Sequence, residues 1–176
     1  MNPTDPSRLD AEALYATLLA QVRTGLAGAA DVAIVGIHSG GAWLAERLAA
    51  DLSLTARLGF IDVSFYRDDY AQKGLHADVK PTQIGFDVNG ATLLLVDDVL
   101  YTGRTTRAAI NELFDYGRPA RIMLAALVDR GGRQLPIAAD FVAATVTLPP
   151  EQALVLRRAD AGLPGQFTLT IDDHHA

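Results

Sequence analysis

The run Leu93-Leu94-Leu95-Val96-Asp97-Asp98-Val99-Leu100-Tyr101-Thr102-Gly103-Arg104-Thr105 passes from an apolar strand, through two adjacent carboxylates, into a Thr-Gly-Arg-Thr turn at the head of a helix. The first N–H groups of a helix have no partner within it, and the helix dipole places partial positive charge there. A phosphate suits that position. Gly103 allows close backbone approach, and Thr102, Thr105 and Thr106 add hydroxyl donors. Arg104 either reaches the same anion or points to solvent. Asp97 and Asp98 would repel a phosphate, but they suit the hydroxyls of a sugar or the water shell of Mg²⁺. Successive strand residues point to opposite faces, so the two acids do not share one role equally. An acid pair before Thr-Gly also fits a plain helix cap; the whole run together favours a sugar phosphate.

Outward from this run, strands and helices alternate. The spacing of Leu14, Leu18 and Val22 predicts a helix over 9–26, stopped by Gly25 and Gly28. Val32–Ile37 is a continuous apolar run of the kind buried on both faces of a parallel sheet. His38-Ser39-Gly40-Gly41 reads as a turn, followed by a helix over 42–50. Residues 56–66 read as extended, and 67–81 as a long polar loop of the sort that is functional in compact domains. A strand over 91–96, a helix over 105–116 ended by Gly117, a strand over 121–128, a weaker strand over 141–148 and an edge strand over 166–171 complete the pattern. Such alternation predicts an α/β fold with a mostly parallel central sheet and helices on both faces. Ligands of these sheets gather at the carboxyl ends of the strands, where 38–41, 67–81 and 97–105 all fall.

The chain has 176 residues, which predicts a single domain over 1–176, with 1–8 as a frayed leader. It contains no cysteine, which excludes disulfides and thiolate chemistry. Its formal charge of −6 argues against a general polyanion binder. No signal peptide and no membrane-spanning run is read, so the expected location is cytoplasmic. Other phosphate devices fit poorly. Gly36 to Gly41 has the glycine spacing of a P-loop, but Ala42-Trp43 stands where Lys-Ser/Thr is required.

The 93–105 run resembles the phosphoribosyl pyrophosphate (PRPP) motif of type I phosphoribosyltransferases, and its Tyr101 is similar to the PyrR family within that class. Further likeness lies in Val35-Gly36-Ile37, Tyr66-Arg67-Asp68-Asp69, Tyr116-Gly117-Arg118-Pro119-Ala120, Leu127-Val128-Asp129-Arg130-Gly131, Leu135-Pro136-Ile137 and Ala139-Asp140-Phe141. The resemblance implies a type I phosphoribosyltransferase fold with a small hood, of which 128–150 forms part. It implies transfer of a phosphoribosyl group from PRPP to uracil, giving UMP and pyrophosphate, with Mg²⁺ as cofactor. By the same resemblance Asp97, Asp98 and Arg67 are the catalytic set, and Asp97 and Asp98 hold the metal through water. PRPP would lie against His38, Ser39, Gly40, Gly41, Asp97, Asp98, Val99, Leu100, Tyr101, Thr102, Gly103, Arg104 and Thr105. The base would lie against Val128, Asp129 and Arg130, and 67–81 would close over the substrate. A homo-oligomer, dimer or tetramer, is implied too.

Two departures from the family pattern stand out. His38-Ser39-Gly40-Gly41 replaces the usual Lys-Thr-Arg-Gly and removes two cations beside the pyrophosphate. His38 is mostly uncharged near neutrality, and it also reads as an ordinary strand-end side chain. The second departure concerns RNA, which regulatory members bind. The first helix carries only Arg23 as a cation, Ala138 stands where arginine is usual, and Ala143-Ala144 replaces a Gly-Lys pair. Phosphate neutralisation dominates RNA affinity. Arg118, Arg121, Arg130 and Arg133 remain as a local basic cluster. The alternative reading is an RNA-binding regulator of pyrimidine-operon transcription that senses UMP or PRPP, with or without catalysis, and a transferase for another base is a third reading.

Overall fold

The computed structural model describes residues 9–63, 81–159 and 165–173. The first helix, α1 (Ala11–Gly25), is capped by Asp10, whose side chain accepts hydrogen bonds from Glu12 N at 3.0 Å and Ala13 N at 3.2 Å. Strand β1 (Val32–Ile37), helix α2 (Gly40–Asp51), a short 3₁₀ turn (Thr55–Arg57) and strand β2 (Leu58–Ile61) follow. Strand β3 (Thr92–Leu100) leads into helix α3 (Arg104–Tyr116), and strands β4 (Arg121–Asp129) and β5 (Phe141–Thr145) come next. These five strands form one sheet in the order β2-β1-β3-β4-β5, every neighbour parallel. The chain ends in a separate antiparallel pair, β6 (Gln152–Arg158) and β7 (Phe167–Asp173).

The apolar runs explain the layers. Parallel strands covered on both sides need no polar face. On one side, Ile34, Leu94, Val96, Met123, Ala125 and Leu127 meet α1, α2 and the β6–β7 pair in one core. On the other, Val35, Leu93, Leu95, Leu124 and Ala126 meet α3 through Ala109 and Leu113. Edge strand β5 is covered by α1, whose Gln21 side-chain amide donates to the Val142 carbonyl at 3.0 Å. That contact occupies a backbone group an exposed edge would offer to another strand. Tyr15 of α1 donates its hydroxyl to Asp51 at 2.6 Å, and Arg47 lies 4.0 Å above its ring. Burial, with help from the Asp51 bond, pushes the Tyr15 phenol well above its ordinary pKa.

Several boundaries differ from the sequence expectation. Strand β3 runs through the acid pair to Leu100 because its ladder to β4 continues past it, with Asp97 opposite Ala126 and Leu100 opposite Asp129. Helix α2 begins at Gly40, so only His38 and Ser39 remain as the turn. The extended segment 56–66 reduces, among the described residues, to β2. The strand at 141–148 stops at Thr145, and β6 was not anticipated at all. The leader 1–8 and all of the loop 67–81 except Pro81 lie outside the described residues.

Candidate active site

The strand order reverses between β1 and β3: from β1 the chain goes to β2 on one side and then crosses to β3 on the other. Crevices outside the carboxyl ends of strands open at such a point. Two helix N-termini meet here, α2 after β1 and α3 after β3. The closeness is tight. A Cβ placed on Gly40 would lie 2.3 Å from Asp98 Oδ2, and one on Gly41 would lie 2.4 Å from the Val96 carbonyl oxygen. Only glycine lets the head of α2 sit against the acid pair.

Asp97 is almost fully buried and its Oδ1 accepts from Asp98 N at 3.0 Å. Asp98 is half-buried and turns toward Gly40. The paired acids thus take different positions, as their alternation on a strand requires. The side chains of Val99 and Leu100 pack toward opposite cores.

Tyr101, Thr102 and Gly103 form the turn, and Gly103 takes a φ of +91° as the cap of α3. That left-handed conformation favours glycine. Thr102 is buried; its hydroxyl accepts from Arg104 N at 3.3 Å, and its carbonyl accepts from Gln134 N at 3.0 Å and Leu135 N at 3.2 Å. Arg104 is exposed and donates to Gln134 Oε1 at 2.7 Å. Thr105 is half-buried in the first turn of α3. Thr106 beside it is wholly buried, and its hydroxyl has no hydrogen-bond partner. Thr106→Val keeps the shape and removes that hydroxyl, so the thermal midpoint is expected to hold or rise. A drop of several degrees in a melting curve would contradict this.

His38 and Ser39 fill the gap between β1 and α2, joined by a cis peptide. The backbone of His38 donates to the Ile61 carbonyl at 2.9 Å, and its ring lies 5.5 Å from that of Phe60. Arg67 lies outside the described residues.

At the end of β4, the side chain of Val128 is buried in the core. Asp129 accepts from Gly131 N at 2.9 Å and from Arg133 Nη2 at 2.5 Å. Arg130 is buried, stacks 4.0 Å over the Tyr101 ring and donates to the Pro149 carbonyl at 3.1 Å. Burial lowers its pKa from the ordinary arginine value.

Sequence reasoning placed 133–135 in the hood and missed that this segment backs the turn. Arg133 Nη1 donates to the Tyr101 carbonyl, and Ile137 closes on Gly103. These contacts span some thirty residues of chain, and no local pattern marks them. The basic cluster read from the sequence also divides. Arg118 caps the end of α3 and Arg121 opens β4, whereas Arg130 and Arg133 lie past its other end. Strand β4, about 26 Å from Arg121 to Asp129 at the usual rise, separates the two pairs.

Residues 8–149 match the phosphoribosyl transferase domain family. A protein of Ralstonia nicotianae named bifunctional protein PyrR is 56% identical over 165 residues, covering 93% of this chain and 94% of its own. A protein of the same name from Nitrosococcus oceani is 44% identical over 177 residues, covering 98% of each. Among solved structures, a hypoxanthine-guanine phosphoribosyltransferase of Bacillus anthracis aligns over 88% of each chain with a TM-score of 0.63 and 18% identity, a likeness of fold alone. The reversal point between β1 and β3, the acid pair and the glycine-capped α3 therefore sit within a known frame: the chain belongs to the phosphoribosyl transferase domain family, in its PyrR branch.

Proposed function

We propose that this protein is a uracil phosphoribosyltransferase that converts PRPP and uracil to UMP and pyrophosphate. The observation that carries the reading is the acid pair lying between two helix N-termini, against Gly40 on one side and the 101–103 turn on the other. PRPP carries an anion at each end of a ribose. The 5′-phosphate takes the 102–105 turn, and the pyrophosphate takes the head of α2 at 38–41. Asp97 and Asp98 face the ribose between them. As the bond from C1 to pyrophosphate breaks, positive charge grows on the ribose ring, and two fixed carboxylates stabilise it. The ring nitrogen of uracil attacks C1 and loses its proton to solvent. No covalent enzyme intermediate is involved.

Mg²⁺ fits this donor set. Among the described residues no group of three or more acidic or histidine side chains offers a complete cage. Mg²⁺ commonly keeps several waters and uses one or two carboxylates together with substrate phosphates. Asp97 and Asp98 would hold it through water, and it supplies charge neutralisation of the leaving pyrophosphate. Asp129, Arg130 and the backbone of Val128, whose side chain is buried in the core, border the base; of the span 128–150 read as hood, Phe141–Thr145 is instead strand β5 of the central sheet. Arg67 would join the catalytic set by the family resemblance; it and the 67–81 loop, Pro81 apart, lie outside the described residues. No helix of the described residues is long and apolar enough to cross a membrane. A homo-oligomer belongs to the same proposal.

The test is a panel of bases. Pyrophosphate release from PRPP is expected with uracil and not with hypoxanthine, guanine or adenine; no turnover with any base would overturn the reading. A second reading rests on the word bifunctional in the relatives' names. It makes the same fold a sensor of UMP or PRPP that binds RNA. A salt-sensitive, UMP-dependent gel shift with a pyrimidine-operon leader would favour it.

A further inference from the structure

The backbone of the 101–103 turn is held from behind by residues of a different strand end. In a trans peptide the carbonyl and the next N–H point in opposite directions. The Tyr101 carbonyl accepts from Arg133 Nη1, and the Thr102 carbonyl accepts from the N–H groups of Gln134 and Leu135. Both carbonyls are turned toward 133–135. The N–H groups of Thr102 and Gly103 are therefore turned the other way. Tyr101 is gripped further: Arg130 lies 4.0 Å over its ring, and a Cβ on Gly132 would come within 2.3 Å of its edge.

Arg133 does more than back the turn. Its second nitrogen binds Asp129 Oδ2 at 2.5 Å, while Asp129 Oδ1 takes the Gly131 N–H at 2.9 Å. One planar fork thus spans two places: the carbonyl that orients the phosphate turn, and the carboxylate at the end of β4 where the base is read. An arginine fork suits such a bridge because its two donors have fixed relative positions.

We propose that Arg133 is a positioning residue that couples the base end of the site to the phosphate turn, so that the turn holds its anion-binding shape only while Asp129 anchors Arg133. This rests on the transferase reading above. Its distinctive consequence is that Asp129, a carboxylate at the end of the neighbouring strand β4, governs PRPP affinity through Arg133.

The experiment is calorimetric binding of PRPP, without base, to wild-type protein, Arg133→Gln, Asp129→Asn and the double variant, with KM and kcat measured alongside. Arg133→Gln is expected to weaken PRPP binding about tenfold, the loss of one charge-assisted hydrogen bond. Its KM for PRPP should rise by a similar factor, with a smaller change in kcat. Asp129→Asn should weaken PRPP binding to a similar extent. The double variant should be no weaker than either single one within about twofold, because the residues act as one unit. PRPP binding by Arg133→Gln equal to wild type, or two losses that multiply in the double variant, would overturn the coupling. Wild-type protein that binds no PRPP would overturn the transferase reading, and this inference with it. If Arg133→Gln fails to fold, Arg133→Lys keeps the charge and loses the fork. It should show the same weakening, and wild-type affinity in it would refute the proposal.

Discussion

Replacing Asp97 and Asp98 together by Asn is expected to lower turnover by about 10³-fold or more while the protein stays folded. Asn preserves the shape of each side chain and keeps one acceptor oxygen. The 3.0 Å bond from Asp98 N to Asp97 Oδ1 therefore survives, and β3 keeps its ladder on both sides. What disappears is negative charge in a site where Asp97 is only 5% exposed. A carboxylate removed from water acts on a developing cation at short range with little screening. It also costs solvation free energy to hold there, so neutralising it does not weaken the fold. Pyrophosphate release measured beside a melting curve decides the matter. Retained turnover would remove both acids from the chemistry, and a collapsed melting curve would assign them to the fold.

The second large effect separates two neighbouring glycines. An alanine Cβ at Gly41 would lie 2.4 Å from the Val96 carbonyl oxygen and 3.0 Å from Asp97 Cα, both backbone atoms of the central strand. Neither can move without disturbing a ladder, so α2 must lift from the sheet. Leu44, Ala45 and Leu48 of that helix are fully buried, and they lift with it. Gly41→Ala should cost about 3 kcal/mol, the upper range of overpacking, which lowers the thermal midpoint by roughly 6–12 °C for a chain of this size. At Gly40 the collision is with a side chain: Asp98 Oδ2 at 2.3 Å and Cγ at 2.5 Å. A side chain can swing aside. Gly40→Ala should therefore cost less stability and displace Asp98, with turnover falling about a hundredfold, as misplacement of a reacting group does. Paired melting and turnover curves would expose an error in either assignment. Gly40→Ala with full activity, or Gly41→Ala with an unchanged midpoint, is the contrary result.

The architecture was legible where burial is two-sided. Val32–Ile37 and Leu93 to Val96 are continuous apolar runs because both of their faces are covered, and their sequence says so directly. The strand's true end was not legible. Asp97 and Asp98 look like the start of a loop, yet the ladder to β4 carries the backbone on to Leu100. Gly40 and Gly41 read as turn residues, and they are helix residues chosen for close approach. Strand β6 escaped because only Leu154 and Leu156 of Gln152–Arg158 are fully buried. Its reason for being a strand is β7, and a partner in space leaves no local trace. The same limit hid the contacts that Arg133, Gln134 and Leu135 make with the turn. The turn they support was evident from its own residues, while the support itself is purely tertiary.

Helix α1 packs on strands that follow it by about a hundred residues or more in the chain. Its buried face, Tyr15, Leu18 and Val22, lies against β4, β5 and β7, with Glu12 accepting from Phe167 N at 2.7 Å. On a ribosome the first helix emerges long before residue 167. At ordinary elongation rates the wait is on the order of ten seconds. Through that interval the apolar stripe has only nascent chain and solvent beside it. Burial of α1 is thus tied to the arrival of β7, and a chain released before β7 would display part of its first helix as an adhesive surface.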